Sequence, residues 1–324
     1  MTDKPGVAVI MPVLNEQNYL EASVAAILTQ NYDGPMEIVL ALGPSVDNTN
    51  SVAASLVARD SRISTVPNPT GRTPEGLNAA IAATSMDVIV RVDAHCELSA
   101  GYIANAIATL ERTGADNVGG IMDAQGVTAF ECAVATAMSS PLGVGGAAFH
   151  TGGDEGQAET VYLGVFKRAA LNRVGGYDPH FTRAQDWEMN YRIRSTGGLV
   201  WFNPLMRVTY RPRSSVATLA KQYFQYGQWR REVMRTHPDT VSKKSALRYF
   251  APPCAVAGSL VGLVAGLLGW KLGYVLPVGY LAIEVVSSLA LVTKAKRGAV
   301  WIPIVLFTMH ISWGIGFLTS RPKR

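Results

Sequence analysis

From Tyr249 to its end the chain carries almost no charge, the exceptions being Lys271, Glu284, the cluster Lys294-Ala295-Lys296-Arg297 and the terminal Arg321-Pro322-Lys323-Arg324. Three stretches in it, 250–270, 272–293 and 299–319, approach the roughly 20 apolar residues a helix needs to cross about 30 Å of hydrocarbon. Glycine and alanine recur in them, as close packing of membrane helices requires. Three such segments in succession leave no polar face for water, so buried helices of a soluble domain are the weaker alternative. Residues 249–324 therefore read as a membrane region of two or three hydrophobic helices, and any soluble domain must come from the residues before it.

Charge placement supports an orientation. Lys243, Lys244 and Arg248 precede the first stretch, and Lys294, Lys296 and Arg297 follow the second, so an in–out–in hairpin obeys the positive-inside rule. A full third crossing would leave Arg321, Lys323 and Arg324 outside, while Pro303, Gly314 and Gly316 leave room for a re-entrant path. Thr2-Asp3-Lys4 leads straight into an apolar run with no signal-peptide pattern. The expectation is a multi-pass protein of the inner (plasma) membrane with its N-terminal domain in the cytoplasm. The net charge of +5 is concentrated near the membrane, where it suits anionic lipid. No aromatic-and-basic platform accompanies it, so no nucleic-acid partner is expected. Cys96, Cys132 and Cys254 are too scattered for a zinc motif or a disulfide framework.

The N-terminal part alternates two periodicities. Residues 7–13 form a continuous apolar run of the kind buried on both faces in a parallel sheet; Tyr19, Leu20, Val24, Ile27 and Leu28 then recur at helical spacing until Asn31-Tyr32-Asp33-Gly34-Pro35. The unit repeats: 36–41 as strand, Gly43-Pro44-Ser45 as turn, Asp47 as N-cap of a helix to Arg59, 63–66 as strand, 76–84 as helix, and a fourth strand ending at Asp93. Later, 160–166 reads as strand, 169–174 as helix, 185–195 as helix and 199–202 as the start of a last strand. This pace predicts a three-layer α/β sandwich over residues 1–212, with ligands gathered at the carboxyl ends of the strands. Asp93 and His95 sit at such an end, and one intervening residue in extended chain turns both to the same side. The glycine-rich stretch from Gly143 to Gly156 reads as a mobile loop. Residues 213–248 read as a basic amphipathic interfacial helix with a linker.

Several stretches taken together resemble a known family. These are Ala8-Val9-Ile10-Met11-Pro12-Val13-Leu14-Asn15-Glu16, Asp93-Ala94-His95, Val174-Gly175-Gly176-Tyr177-Asp178, and Gln185-Asp186-Trp187-Glu188 with Tyr191-Arg192-Ile193. In this order they resemble the inverting nucleotide-sugar glycosyltransferases of family 2, with the GT-A fold. They look most like the membrane-attached succinoglycan-type exopolysaccharide enzymes, which share the Asp-Ala-His variant. The likeness covers residues 6–235.

The resemblance implies a GT-A sandwich with a mostly parallel sheet and a divalent cation, Mn²⁺ or Mg²⁺, held by Asp93 and His95. The family's usual pattern there is Asp-x-Asp, and an imidazole is softer than Mg²⁺ prefers. Asp186 matches the family's catalytic base, with Gln185 where a glutamate is usual; the first turn of a helix should favour its ionised form. Donor binding falls to Pro12, Asn15, Glu16, Arg72, Asn78 and Asp93, because the usual acidic turn after the second strand is replaced by Leu42-Gly43-Pro44-Ser45, leaving Asp47. A UDP-sugar is the expected donor, with thymidine and guanosine diphosphate sugars as the alternatives. Gln225 and Trp229 partly match the Gln-x-x-Arg-Trp motif of processive synthases and, with Glu188, are the acceptor-binding candidates; Glu188 is equally explained by an exposed salt bridge to Arg192. The implied partners are a nucleotide diphosphate sugar, a lipid-linked or glycan acceptor, and membrane lipid. Two rival readings are a polyprenyl-phosphate sugar synthase and a non-catalytic nucleotide-sugar-binding scaffold.

Overall fold

The computed structural model describes residues 4–240 and 243–322, without the side chains of 243–245. The expectations placed on Thr2 and Asp3, on the Lys243 and Lys244 side chains, and on Lys323 and Arg324 lie outside the described residues. The chain forms two compact units: Met1–Asp123 with Gly152–Tyr210, and Ala124–Thr151 with Arg211–Arg324.

The first unit is built on a mixed sheet of nine strands. β1 (Val7–Val13), β2 (Met36–Leu42), β3 (Ile63–Pro67) and β4 (Val88–Arg91) run parallel in the order β3-β2-β1-β4. The apolar stretches of β1, β2 and β4 are what a sheet covered on both faces demands, and all of 7–11 and 88–91 is buried, whereas β3 is an edge strand with three of its five residues exposed. Helices α1 (Leu20–Leu28), α2 (Thr49–Arg59) and α3 (Thr73–Ala82) follow the first three strands. α3 starts before its expected place because Pro74 sits in the first turn, where no N–H is needed.

Beyond β4 the sheet turns antiparallel. The two-residue β5 (Glu97–Leu98), then α4 (Tyr102–Thr113), β6 (Asn117–Ala124), the short β7 (Gly156–Gln157), β8 (Tyr162–Lys167) and β9 (Val200–Tyr210) complete the order β4-β8-β6-β9-β5, with β7 on β9. Two helices, α8 (Arg168–Val174) and α9 (Gln185–Ser195), lie between β8 and β9. β4 ends at Arg91, not Asp93. The Cys96 N–H donates to the Asp93 carbonyl at 2.9 Å, so Asp93 and His95 stand on a turn rather than on extended chain.

The second unit is helical. α5 (Ala129–Met138) opens with a capping box, Thr128 accepting from the Glu131 N–H and Glu131 answering at the Thr128 N–H. Two short helices, α6 (Pro141–Val144) and α7 (Ala148–Thr151), occupy part of the stretch read as a loop. The reading missed them because a one-turn helix leaves no periodicity. α10 (Val216–Thr236), α11 (Lys243–Leu267), α12 (Val275–Val292) and α13 (Ile302–Thr319) complete the unit. Segments Ala246–Leu267, Lys271–Val292 and Lys296–Thr319 are each long and apolar enough to cross a membrane.

α10, the helix expected at an interface, packs along α13. A Cβ on Gly227 would collide with the Trp313 carbonyl, and one on Gly316 with the Phe224 carbonyl, so the two backbones approach as only glycines allow. Arg231 donates to the carbonyls of Phe317 at 2.9 Å and Leu318 at 2.7 Å, and Arg235 to that of Ser320 at 2.6 Å. These carbonyls at the end of α13 have no intrahelical partner, and cations are favoured there. Within the apolar helices one polar pair is joined across α12 and α13: His310 meets Glu284 at 2.6 Å and also the Leu142 carbonyl at 2.9 Å.

Gly316→Leu should therefore destabilise the detergent-solubilised chain by about 1–3 kcal/mol, as overpacking does, and lower its thermal midpoint. Gly279→Leu, at a site with nothing within 4 Å, should leave it unchanged. Equal midpoints would contradict the close crossing.

Candidate active site

The ends of β1 and β2 are laced together first. Asn15 takes a left-handed conformation, φ 58°, which an asparagine tolerates better than most side chains. This lets its N–H donate to Ser45 Oγ at 3.0 Å while its Oδ1 accepts from the Val46 N–H at 2.9 Å. The Glu16 N–H donates to Thr49 Oγ1 at 2.7 Å. Asp47 accepts from the Thr49 hydroxyl at 2.5 Å and its N–H at 3.1 Å. That hydroxyl bond, the largest influence, holds the Asp47 carboxyl below its ordinary pKa. Pro12, paired in the ladder with Ala41, borders this turn. With its backbone fixed, Glu16 reaches His95: Oε1 lies 2.9 Å from Nδ1.

The centre is Arg91, at the last position of β4 and 4% exposed. Its Nη2 donates to Asp93 Oδ1 at 3.1 Å and its Nε to the same oxygen at 3.3 Å, while Nη1 donates to Asp186 Oδ1. The Tyr177 ring lies 5.6 Å from the guanidinium. One cation thus holds the carboxylate after β4 and the carboxylate at the start of α9, which the sequence separates by 93 positions. Asp186 reaches it because Ala184, φ 61°, turns the chain into α9, and Asp186 Oδ2 also accepts from the Leu163 N–H at 3.3 Å.

The two acids respond in opposite ways. Burial would raise Asp93, but the Arg91 and His95 charges outweigh it, and its pKa falls below the usual carboxylate value. For Asp186 burial prevails, and with the Asp93 charge beside it the carboxyl is pushed up to about 6 against the pull of Arg91. The helix terminus expected to favour its ionised form does not win. Both side chains are about a quarter exposed, 24% and 23%, so each can meet a ligand.

Asp93 and His95 suit a divalent cation by the chemistry of their donors. Among the described residues no three His, Cys, Asp or Glu form a closed metal cage, but a cation that takes its other oxygens from a diphosphate and water needs only one or two protein ligands. Asp93 Oδ2 has no hydrogen-bond partner among the described residues. Glu16 at Nδ1 makes Nε2 the ring nitrogen of His95 suited to a metal.

The other candidates are placed differently. Arg72 is held by Glu75 at 2.8 Å and by the Pro179 carbonyl at 2.6 Å. Asn78 clamps the backbone of Tyr177 at both its N–H and its carbonyl, 2.8 and 2.7 Å. The Glu188–Arg192 pair exists, but Glu188 is buried at 1% rather than exposed, because Arg192 also holds the carbonyls of Val174 and Gly176 and draws the pair inward. Gln185 donates to the Thr182 carbonyl at 2.8 Å. In the second unit Trp229 is 7% exposed, so its indole face is not open to a sugar in this structure; Gln225 is half-buried. The sequence reading missed Arg91 and Tyr177. The signal for Arg91 was there: a lone charge inside the apolar run 88–92 must find partners if buried.

Residues 8–175 match the family described as "Glycosyl transferase family 2". The chain is 29% identical to "Succinoglycan biosynthesis protein ExoA" of Rhizobium meliloti (strain 1021), over 95% of this chain and 93% of that protein. It is 25% identical, over 68% of this chain and 71% of the other, to "Dolichyl N-acetyl-alpha-D-glucosaminyl phosphate 3-beta-D-2,3-diacetamido-2,3-dideoxy-beta-D-glucuronosyltransferase" of Methanococcus voltae. Among solved structures it is similar to "Mannosyltransferase PcManGT from Pyrobaculum calidifontis in complex with GDP-Man and Mn2+", with TM-score 0.62, 19% identity, 98% of this chain and 88% of that one.

Asp186 holds its proton more tightly folded than unfolded. Its contribution to stability is therefore complete below the ordinary value of 3.8 and is lost as pH rises through about 6. Asp186→Asn should thus be no more stable than the wild type near pH 4 and should gain on it as pH rises, by up to about 3 kcal/mol near pH 8. Asp93→Asn should be the less stable protein near pH 8. Urea unfolding at the two pH values checks both; an Asp186→Asn gain that does not grow with pH would contradict the assignment.

Proposed function

Because the chain belongs to glycosyl transferase family 2, we propose that it moves a sugar, with inversion, from a nucleoside diphosphate sugar to a lipid-linked or polysaccharide acceptor at the cytoplasmic face of the inner membrane. The observation that carries this reading is the shared guanidinium: Arg91 holds Asp93 and Asp186 together, so diphosphate chemistry and base chemistry act on one bound sugar.

In this reading Asp186, ionised, takes the proton from the acceptor hydroxyl as that oxygen attacks the anomeric carbon. Its raised pKa makes it a stronger base than an ordinary carboxylate, near the working pH. Arg91 keeps the carboxylate aimed and balances the charge of two acids in a poorly solvated place. Asp93 and His95 would hold a Mn²⁺ or Mg²⁺ ion, with Glu16 fixing the ring. Such a cation, when bound, supplies the positive charge that stabilises the departing diphosphate. UDP is the nucleotide we propose; the structural neighbour was solved with GDP-Man, which makes GDP-mannose the paired assay.

The acceptor follows from two supports. One relative, matched along nearly its whole length, is named for succinoglycan biosynthesis, and another for transfer onto a dolichyl-phosphate-linked sugar. The three membrane-length helices fit an acceptor that stays at the bilayer.

Transfer measured with the full chain in lipid should rise with pH through about 6 as Asp186 ionises. Asp186→Asn should lose about 10²–10⁴-fold in kcat while still binding donor, and EDTA should abolish transfer, with Mn²⁺ restoring it. Undiminished turnover in Asp186→Asn would overturn the reading.

A further inference from the structure

A second cluster lies in the helical unit, at the beginning of the first membrane-length segment, Ala246–Leu267. Tyr249 is 2% exposed, and two guanidiniums lie against its ring: Arg230 of α10 with Cζ 4.2 Å from the centroid, and Arg248 of α11 at 4.7 Å. Arg248 also donates to Tyr249 Oη at 2.5 Å. The chain between α6 and α7 rests on the stem of Arg248. Gly145, φ 73°, permits this, since a Cβ there would collide with Arg248 Cγ and Cδ. α7 adds His150, whose Nδ1 is buried with no hydrogen-bond partner among the described residues. Burial and then the Arg248 charge push that ring down to about 3, so it is neutral at physiological pH.

Three separate segments thus bring two guanidiniums, a phenol and a neutral imidazole to one place. Like charges gathered in a partly buried site repel, and among the described residues Arg248 pairs with no carboxylate. An anion lying between the guanidiniums would reverse the sign of that interaction. Guanidinium forks match phosphate oxygens in geometry as well as charge. A basic pocket where helices enter the membrane stands at the depth of lipid head groups.

We propose that Arg230, Arg248, Tyr249 and His150 form a binding site for the phosphate or diphosphate group of a lipid at the membrane surface. The proposal rests on the lipid-linked acceptor reading above and names the part of the acceptor this unit would hold. Free diphosphate shares the chemistry, so the test separates the two sources.

The full chain in phosphatidylcholine nanodiscs is titrated with farnesyl diphosphate, with farnesol and with inorganic pyrophosphate, binding being read by calorimetry. Farnesyl diphosphate should bind, farnesol should not, and pyrophosphate should bind more weakly than the lipid. Arg248→Gln and Arg230→Gln should each weaken farnesyl diphosphate about tenfold or more, Arg248→Lys less, while Arg59→Gln on α2 should not change it. Donor-induced thermal stabilisation serves as the folding control. If Arg248→Gln fails it, Arg248→Lys and Tyr249→Phe carry the test, and wild-type affinity in both overturns the site. Unchanged affinity in a folded Arg248→Gln, equal binding of farnesol, or pyrophosphate binding as tightly as the lipid also overturns it. Asp186→Asn should bind farnesyl diphosphate normally. Arginine-dependent binding without sugar transfer would leave this site standing and sink the transferase reading; transfer without arginine-dependent binding would do the reverse.

Discussion

A guanidinium buried at a strand end needs anions, and the position of Arg91 decides where they are. Burying a charge is costly unless it is paired and hydrogen-bonded. Arg91 is paired twice, with the acid two residues ahead on its own chain and with the acid that opens α9. Folding therefore cannot satisfy Arg91 without bringing Asp93 and Asp186 together. The active site is assembled by the same interaction that stabilises it. The strain that remains falls on Asp186, whose carboxyl is pushed up in pKa, as the base of the proposed transfer would require.

In the helical unit the work is done by close approach instead of charge pairing. Contact between these helices comes from close packing and from satisfied backbone groups. Gly227 and Gly316 bring α10 and α13 together, and Arg231 and Arg235 take up the carbonyls at the end of α13. A helix that reads in sequence as basic, amphipathic and interfacial is fastened to α13 through its arginines.

Much of the parallel half of the sheet was legible, because β1 is an unbroken apolar run, β2 is one interrupted only by Glu37, and α1 and α2 are followed by clear breakers. The ends of α9 and the presence of the three apolar helices were legible for the same reason, local periodicity and composition, although α11 begins at Lys243 and not near 250. α4 was not read, although Gly101 and Gly114 bracket it in left-handed conformations and Tyr102, Ile103, Ala106, Ile107 and Leu110 form its buried stripe. That pattern is local and could have been found. Other features are set by distant parts of the chain. Arg91 reads as one charge in a strand until residue 186 is known to face it. The direction of the Asp186 shift depends on burial, which no helix position reveals. The grouping of 124–151 with the C-terminal helices depends on contacts such as Gly298 against Ala133.

Inversion at the anomeric carbon is the consequence that no alternative arrangement of these groups shares. If Asp186 activates the acceptor on the face away from a diphosphate held near Asp93, the new bond must form opposite the one that breaks. The one-bond C1–H1 coupling at the anomeric centre of the isolated product, measured by NMR after transfer from an α-linked donor, reads this directly. The account predicts a β-linkage from the first turnover; an α-linked product would contradict it.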